Sequence, residues 1–228
     1  MIDPFAEHYA WYPEFDKNTN PIPRPQPIDA VISYFGGKRE GWFLDVGAYD
    51  GITWSNSAAL EKYYNWKGIC VEPNPNIFDQ LLSNRKAVCE QSALTFFDGT
   101  VDFMNVSGYA EMLSGIPTSM PDTHLERINR EVSSRGGGAT KISVKAQKTQ
   151  TLLDKLSITK LDYMSIDVEC GELNVLKGID WDRTEITLIS CEVNEYSVGN
   201  GVPEYLESKG YTKLGRVCGD EFFARKQA

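Results

Sequence analysis

The sequence lacks the features that assign a chain to several common classes of protein. Its five cysteines are an odd number and contain no C-x-x-C pair, which argues against a zinc ribbon. No stretch reaches about eighteen apolar residues, and Met1-Ile2-Asp3-Pro4 begins neither a basic nor an apolar segment. Positive charge is scarce, with 23 Lys and Arg against 32 Asp and Glu and a net charge of −9. We therefore expect a reduced, soluble, cytoplasmic protein with no nucleic-acid partner, because a phosphate backbone needs a basic face, and with no membrane insertion.

The composition predicts one globular domain preceded by an arm. A chain of 228 residues that is 41% hydrophobic can bury a full α/β core without disulfides. Residues 1–27 form a Pro-rich N-terminal arm that holds six of the eleven prolines, which impose an extended path. We interpret this arm, which also carries aromatic side chains, as a surface strap; a lid over the site and a contact in a homodimer are the alternatives. The domain itself then spans residues 28–228.

The region 42–72 contains the most informative pattern. An apolar run, Trp42–Val46, reads as a buried strand that carries Asp45 near its end, and glycines at 47 and 51 let the following turn pass close under a ligand. A second apolar run ends in Glu72, about twenty residues beyond the second glycine. At this spacing an α/β fold places a carboxylate against two ribose hydroxyls.

The turn is unsuited to a dinucleotide. Dinucleotide-binding turns need G-x-G-x-x-G so that a pyrophosphate can sit on a helix N-terminus, and here Tyr49 and Asp50 lie between the glycines. A ring and a carboxylate in that turn oppose a doubly charged pyrophosphate. They suit a cofactor with a ribose and a cationic centre, which describes S-adenosylmethionine. The alternative is that a single glycine turn after a strand is only a βα loop.

Strand-like and helix-like segments alternate along most of the chain. The pattern predicts a Rossmann-like α/β fold with a seven-stranded, mostly parallel sheet and helices on both faces. An antiparallel hairpin of Tyr211–Val217 with Glu221–Arg225 should complete the sheet. A second hairpin is predicted where Leu94–Asp98 and Val101–Asn105 flank Asp98-Gly99.

Residues 107–139 do not fit this alternation. They contain a predicted short helix around His124–Ile128 and the run Gly136-Gly137-Gly138, which we interpret as flexible. A long insertion at the ligand-binding edge of a sheet is usually functional or disordered, so we predict an acceptor-binding lid. His124 is expected to be exposed and incidental to catalysis.

Acidic residues follow two predicted central strands. Asp167 and Glu169 come after one strand, and Glu192 and Asn194 after the next. The carboxyl ends of parallel strands meet in one crevice, so Asp167, Glu169 and Glu192 are the predicted catalytic residues. Oxygen ligands collected there would suit Mg²⁺ or Mn²⁺, with Asp167, Glu192 and Asn194 as the candidate metal ligands. The alternative is that Asp167 and Glu169 cap the following helix, together with Glu172 in its first turn; we assign Glu172 to the helix and leave Glu169 open.

Three segments carry a resemblance to a known family. FLDVGAYDGITWSNS, WKGICVEPNP and LDYMSIDVECGELNVLKGI are similar to the three signature blocks of FkbM-type methyltransferases, in the same order and spacing. The resemblance runs from about Gly41 to the C-terminus and is weak between about Gly99 and Lys148. One departure is Cys170-Gly171, where the family more often has Gly-Ala.

The resemblance implies a set of cofactor contacts. Asp45 should hold the turn or the methionine amino group, Glu72 the ribose, and Ser55 with Asn56 the methionine carboxylate. Residues expected to bind S-adenosylmethionine are Asp45, Gly47, Ala48, Tyr49, Asp50, Gly51, Ser55, Asn56, Glu72, Pro73, Asn74 and Asp167. The acids after the two central strands are also similar in layout to those that hold Mg²⁺ in catechol and macrolide-sugar O-methyltransferases.

The predicted activity is S-adenosylmethionine-dependent O-methylation. The family resemblance implies a hydroxyl on a sugar, glycan or polyketide, and a crevice of acids and amides favours a sugar or glycan acceptor. The alternatives are methylation of an amine or carboxylate, or binding of S-adenosylmethionine without turnover.

Overall fold

The computed structural model describes residues 26–193 and 199–226 of the chain. The described part is built on a seven-stranded sheet in the order β3-β2-β1-β7-β8-β10-β9. Its strands are β1 (Trp42–Val46), β2 (Lys67–Val71), β3 (Val88–Glu90), β7 (Lys160–Ile166), β8 (Glu185–Glu192), β9 (Tyr211–Val217) and β10 (Asp220–Arg225). The helices are α1 (Pro27–Tyr34), α2 (Ala58–Tyr64), α3 (Pro75–Asn84), α4 (Asp122–Arg135), α5 (Thr149–Lys155), α6 (Glu172–Lys177) and α7 (Val202–Ser208).

The sheet confirms the predicted fold class. Strand β1 pairs in parallel with β2 and β7, β7 pairs in parallel with β8, and β10 joins β8 and β9 in antiparallel pairs. Strand order reverses at β1, because β2 lies on one side of it and β7 on the other. Such a switch point opens a crevice at the carboxyl ends of the strands, where ligands bind in open α/β sheets.

Both faces of the sheet are covered by helices. Successive side chains of a strand point to opposite faces, and in β1 Phe43 joins one buried cluster while Leu44 joins the other. Helices α1, α2 and α3 supply apolar side chains to the first cluster, and α5, α6 and α7 supply them to the second. This double burial explains why the central strands are continuous apolar runs rather than alternating ones.

A second, three-stranded sheet corrects the prediction for the middle of the chain. Its strands are β4 (Ala93–Thr95), β5 (Gly99–Gly108) and β6 (Gly137–Lys148), in the order β4-β6-β5. The predicted hairpin of Leu94–Asp98 with Val101–Asn105 is therefore wrong: β6 lies between β4 and β5 and pairs with both. A strand contributed from about forty residues further along the chain displaces the local pairing.

The segment 107–139 is more regular than predicted. Helix α4 runs for 14 residues instead of one short turn. The run Gly136-Gly137-Gly138 ends α4 and begins β6, where Gly137 pairs with Gly108 and Gly138 with Ser107. The sequence analysis also missed α5 and the 12-residue strand β6.

Some predictions lie outside the described residues. These are residues 1–25 of the Pro-rich arm and Asn194, one of the candidate metal ligands. Among the residues that the structure does describe, no helix combines the length and apolar character needed to cross a membrane.

Candidate active site

Gly47 follows β1 and begins a turn that passes very close to the end of β7. Its φ is +84°, and a Cβ atom there would lie 1.7 Å from the carbonyl oxygen of Asp167. The N–H groups of Gly47 and Ala48 both donate to the Val71 carbonyl at 3.0 Å. The turn is thus tied to β2 and pressed against the end of β7, and only glycine fits at its first position.

Asp50 stabilises the loop itself. Its carboxylate accepts hydrogen bonds from the Ile52 and Thr53 N–H groups at 2.8 and 2.7 Å and from the Thr53 hydroxyl at 2.6 Å. These bonds lower the pKa of Asp50, although partial burial opposes them. Asp50 and Gly51, both predicted to bind the cofactor, shape the loop and are absent from the cleft lining described below.

A buried arginine anchors the same loop from below. Arg85, at the end of α3, donates to the Gly51 carbonyl at 3.1 Å and to the Ser57 hydroxyl at 3.0 Å. Ser57 in turn donates to Asp45, and the Arg85 Nη1 atom lies 3.8 Å from that carboxylate. Burial raises the pKa of Asp45, while Arg85 and the serine hydroxyls oppose the rise. Asp45 thus bonds to the serines that follow the glycine loop, and it also lines the cleft, so both roles predicted for it stay open.

Glu72 lies at the end of β2 and is held by two backbone groups. Its Oε2 accepts from the Tyr49 N–H at 3.1 Å and its Oε1 from the Asn74 N–H at 2.7 Å. Burial raises the pKa of Glu72 to about 7. The two backbone hydrogen bonds oppose this rise, whereas the nearby Asp167 and Asp45 add to it. The fixed carboxylate keeps free lone pairs that can accept from a vicinal diol, as predicted for a ribose.

One cleft runs along the carboxyl ends of the strands and has two halves. Gly47, Tyr49, Met112 and Asp167 line both halves. The first half, which we call the nucleoside half, is also lined by Glu72, Pro73, Asn74, Ala93, Leu94, Phe103, Glu111, Ser114, Gly115, Ile116, Val168 and Glu169. The second, which we call the methionine half, is also lined by Asp45, Ala48, Thr53, Trp54, Ser55, Asn56 and Ser165. Apart from Asp50 and Gly51, the residues predicted to bind the cofactor therefore come together in one cleft.

Three carboxylates meet beside this cleft. One oxygen from each of Asp167, Glu169 and Glu192 lies within 4.8 Å of the others. Asp167 and Glu169 follow β7, whereas Glu192 ends β8, so the parallel pairing of these strands creates the cluster. The structure thus brings together the three predicted catalytic residues.

The cluster has strongly perturbed acidity. Asp167 is exposed by surface area, yet the protein packed around its carboxyl group partly desolvates it and raises its pKa to about 6. Burial and the neighbouring acids raise the pKa values of Glu169 and Glu192 well above their ordinary range. Carboxylates this close cannot all ionise at low cost, so near neutral pH the cluster must share a proton or take up a cation.

Glu169 has a strained backbone conformation in the cluster. Glu169 and Cys170 have φ values of 54° and 75°, which residues other than glycine rarely adopt. Oε2 of Glu169 is buried and has no hydrogen-bond partner in the described part of the chain. Strain of this kind persists only when the surrounding structure imposes it and is common at functional sites.

His124 and Glu172 lie behind the cluster. His124 was expected to be exposed, which is wrong: it is fully buried in α4, and its Nε2 lies 3.4 Å from Oε2 of Glu169. Burial lowers the pKa of His124 to about 4, with Arg127 adding to the effect. Glu172 is also fully buried and accepts from the Cys170 N–H at 3.1 Å in the first turn of α6, as assigned from the sequence.

The structure adds site residues that the sequence analysis missed. Asp220 on β10 lies opposite Glu192 and accepts from the Asn56 amide at 3.3 Å. Burial raises the pKa of Asp220 to about 8. Glu111, from the insertion, accepts from the Tyr49 hydroxyl at 2.5 Å. An acid in a hairpin or an insertion carries no local sign of its partners, so only tertiary pairing could reveal these two.

The fold and the site define a Rossmann-like protein with an acid-lined cleft for a cationic nucleoside. A family model described as the methyltransferase FkbM domain matches residues 45–213. The chain belongs to this family of S-adenosylmethionine-dependent methyltransferases.

Individual relatives agree with this assignment. Methyltransferase sdnD of Sordaria araneosa is 27% identical over 193 residues, which cover 75% of this chain and 73% of that protein. A crystal structure of methyltransferase FkbM from Methylobacillus flagellatus KT is similar in fold, with a TM-score of 0.51 and 12% identity. That match covers 81% of this chain, which spans only 43% of the length of the other protein.

The cleft fits S-adenosylmethionine. A close glycine turn at Gly47, a doubly held carboxylate at Glu72 and the amide of Asn56 provide the contacts expected for its nucleoside and methionine parts. The acids around the cleft provide the negative potential that a sulfonium and an ammonium group require. When bound, this cofactor supplies an electrophilic methyl group.

Proposed function

We propose that the chain methylates a hydroxyl group of a sugar or glycan. The observation that carries this proposal is the carboxylate cluster of Asp167, Glu169 and Glu192 beside the cofactor cleft. A sugar hydroxyl is a poor nucleophile at neutral pH, so the protein must remove or redirect its proton. A small, soluble acceptor that presents several hydroxyls would match a crevice rich in carboxylates and amides, whereas a nucleic acid would be repelled by it.

Asp167 would act as the general base. Its raised pKa of about 6 lies close to neutral pH, where a base combines an available ionised form with sufficient basicity. Burial raises the pKa of Asp167 and its hydrogen bond with Glu192 opposes the rise, so the two carboxyl groups would share a proton in the resting protein. Asp167 also lines both halves of the cleft, so it can approach the place where methyl donor and acceptor meet.

A divalent cation is the second way in which these residues could activate the acceptor. One carboxylate oxygen from each of Asp167, Glu169 and Glu192 converges there, a set of oxygen ligands that would fit Mg²⁺ or Mn²⁺. Asp167 and Glu192 belong to the predicted set of metal ligands, Glu169 is the third acid of the cluster, and Asn194, the other predicted ligand, lies outside the described residues. Such an ion would lower the pKa of a ligated hydroxyl.

The test is methyl transfer from labelled S-adenosylmethionine to a panel of methyl glycosides. We expect one O-methyl group per turnover, located by NMR on a ring hydroxyl of the product. The alternative acceptors are simple amines, carboxylates and phenolic or polyketide-like alcohols. If only these acceptors are methylated, the sugar assignment fails. If S-adenosylmethionine binds and no acceptor is methylated, the chain binds the cofactor without turning over any of these acceptor classes.

The variant Asp167→Asn separates the two mechanisms. If Asp167 is a general base, Asp167→Asn should lower kcat by about 10²- to 10⁴-fold. In that case the wild type should stay active in excess chelator, and its turnover should slow as pH falls through about 6, the pKa of Asp167. A cation site instead predicts that chelator abolishes turnover and that Mg²⁺ or Mn²⁺ restores it. The matched control is Asp102→Asn, an exposed acid of β5 paired with Lys141, which should leave turnover unchanged. Full activity of Asp167→Asn in chelator contradicts both mechanisms.

A further inference from the structure

Trp54 is held in an unusual position for a tryptophan. It is 79% exposed, more than any other large apolar side chain in the described part of the chain. It nevertheless lines the methionine half of the cleft, beside Asn56 and Asp167. Exposed apolar side chains scattered over a surface need no explanation, but a tryptophan among the residues that line a cleft places a large apolar ring next to whatever enters.

The loop around Trp54 is fixed before any ligand arrives. The φ of Trp54 is +56°, a backbone conformation that costs energy for a residue with a side chain of this size. On the N-terminal side, Asp50 holds the Ile52 and Thr53 N–H groups. On the C-terminal side, the Ser55 N–H donates to the Ile52 carbonyl at 3.2 Å, and Arg85 holds the Ser55 hydroxyl at 3.4 Å. A strained position that two hydrogen-bonded anchors maintain is a pre-organised surface rather than a loose loop tip.

The cofactor contacts do not account for this exposed ring. The nucleoside would be held by Glu72 and Asn74 in the other half of the cleft, and the methionine end by the polar groups of Ser55 and Asn56. The indole is apolar on both faces and remains largely open to solvent. Met112, 41% exposed, is a second apolar side chain that lines the same half of the cleft.

We infer that Trp54 is the platform on which the acceptor stacks, and that it selects ring-shaped sugars by contact with the apolar C–H face of a pyranose. This inference rests on the proposed function. An aromatic ring removes water from the C–H face of a sugar, while the hydroxyl edge stays available to Asp167 and its neighbours. The combination of one flat apolar wall with a cluster of hydrogen-bond acceptors matches the two-sided chemistry of a pyranose.

The experiment compares Trp54→Ala and Trp54→Phe with the wild type, using the methyl pyranoside that the wild type methylates best. We expect Trp54→Ala to raise KM by about tenfold, the value of one aromatic contact, and Trp54→Phe to recover most of it. The Kd for S-adenosylmethionine, measured by calorimetry, should change by a clearly smaller factor than KM in both variants. Tyr63→Ala, which removes a 61% exposed ring of α2 outside the cleft lining, is the matched control and should leave both constants unchanged.

A ring-specific readout completes the test. The wild type should prefer the pyranoside over an open-chain polyol such as sorbitol, and Trp54→Ala should lose much of that preference. An unchanged KM, an equal loss of cofactor affinity, or an unchanged preference in Trp54→Ala would overturn the inference. These outcomes are distinct from failure of the proposed function, which would appear as no glycoside methylation by the wild type.

Discussion

At the scale of single residues, the site depends on backbone groups that place a few side chains. Glu72 shows this most clearly, because two N–H groups fix its carboxylate before a ligand arrives. One of those groups belongs to Tyr49, in the glycine loop, and the other to Asn74, which begins α3. Glu72 thus couples the loop, the strand end and the next helix.

Glu72→Gln tests the predicted contact with the ribose. The substitution keeps the shape but turns a two-oxygen acceptor into an amide, so the affinity for S-adenosylmethionine should fall by about 1.5–3 kcal/mol. Isothermal titration calorimetry measures the change. The control is Glu90→Gln, an acid on the adjacent edge strand whose lysine partners lie outside the cleft. An unchanged Kd for Glu72→Gln would remove Glu72 from the cofactor site.

Gly47→Ala tests the close approach of the turn to β7. The new methyl group would meet the Asp167 carbonyl oxygen at 1.7 Å, so backbone must move and cofactor binding should be lost. Gly36→Ala is the matched control, because Gly36 also has a positive φ of 58° but open space around it. Gly36→Ala should cost only the backbone strain, about 1 kcal/mol or somewhat more, measurable by urea unfolding. Retained affinity in Gly47→Ala would show that the turn is not a tight cradle.

At the scale of elements, the insertion is a folded layer that reaches over the cleft. Strands β5 and β6 pair along ten residues each, and α4 packs its Ile128 against Val106 of β5 in a small apolar cluster. The part that lines the nucleoside half of the cleft is the turn region that contains Glu111, Met112 and Ser114. A movable lid would therefore consist of this turn rather than of the whole segment 107–139.

Hydrogen exchange distinguishes a moving turn from a moving domain. Amides of β5 and β6 should be protected equally with and without ligand, because ladder bonds hold them in both states. Amides of residues 109–119 should exchange quickly in the free protein and more slowly with S-adenosylmethionine and acceptor bound. Equal protection of residues 109–119 in both states would mean that the turn is a fixed wall, and the predicted lid would then be wrong.

At the scale of the whole molecule, buried carboxyl groups with raised pKa values are concentrated around the cleft. Burial raises the pKa of Glu72 and Glu172 to about 7 and that of Asp220 to about 8. Each of these carboxyl groups has an ordinary pKa in the unfolded chain, so the folded protein binds more protons between the two values. The stability contributed by protonated acids is therefore complete below about pH 4 and is lost as pH rises through 7 to 8.

The cofactor-free protein should consequently unfold at a lower temperature at about pH 8.5 than at about pH 5.5. S-adenosylmethionine should stabilise it more at the higher pH, because the positive ligand offsets the ionised carboxylates. Differential scanning calorimetry at fixed ionic strength measures both effects. The variant Asp220→Asn should flatten the pH dependence, and a Tm that rises from pH 5.5 to 8.5 in the free protein would contradict the raised pKa values.

The main sheet and the grouping of most residues expected to bind the cofactor were predictable from the sequence. Both depend on local patterns: apolar runs predicted β1 and β2, and the glycines and acids at their ends predicted the turn and Glu72. Parallel strands place their carboxyl ends at one edge, so Asp167, Glu169 and Glu192 could be grouped from their positions alone.

Features that depend on contacts between distant segments could not be predicted from the sequence. The pairing of β6 with both β4 and β5 overrode the local hairpin signal at Asp98-Gly99. The burial of His124 on α4, 3.4 Å from Glu169, is likewise a contact between segments distant in sequence. Asp220 and Arg85 joined the site through a hairpin and a helix end that carry no local signature of their partners.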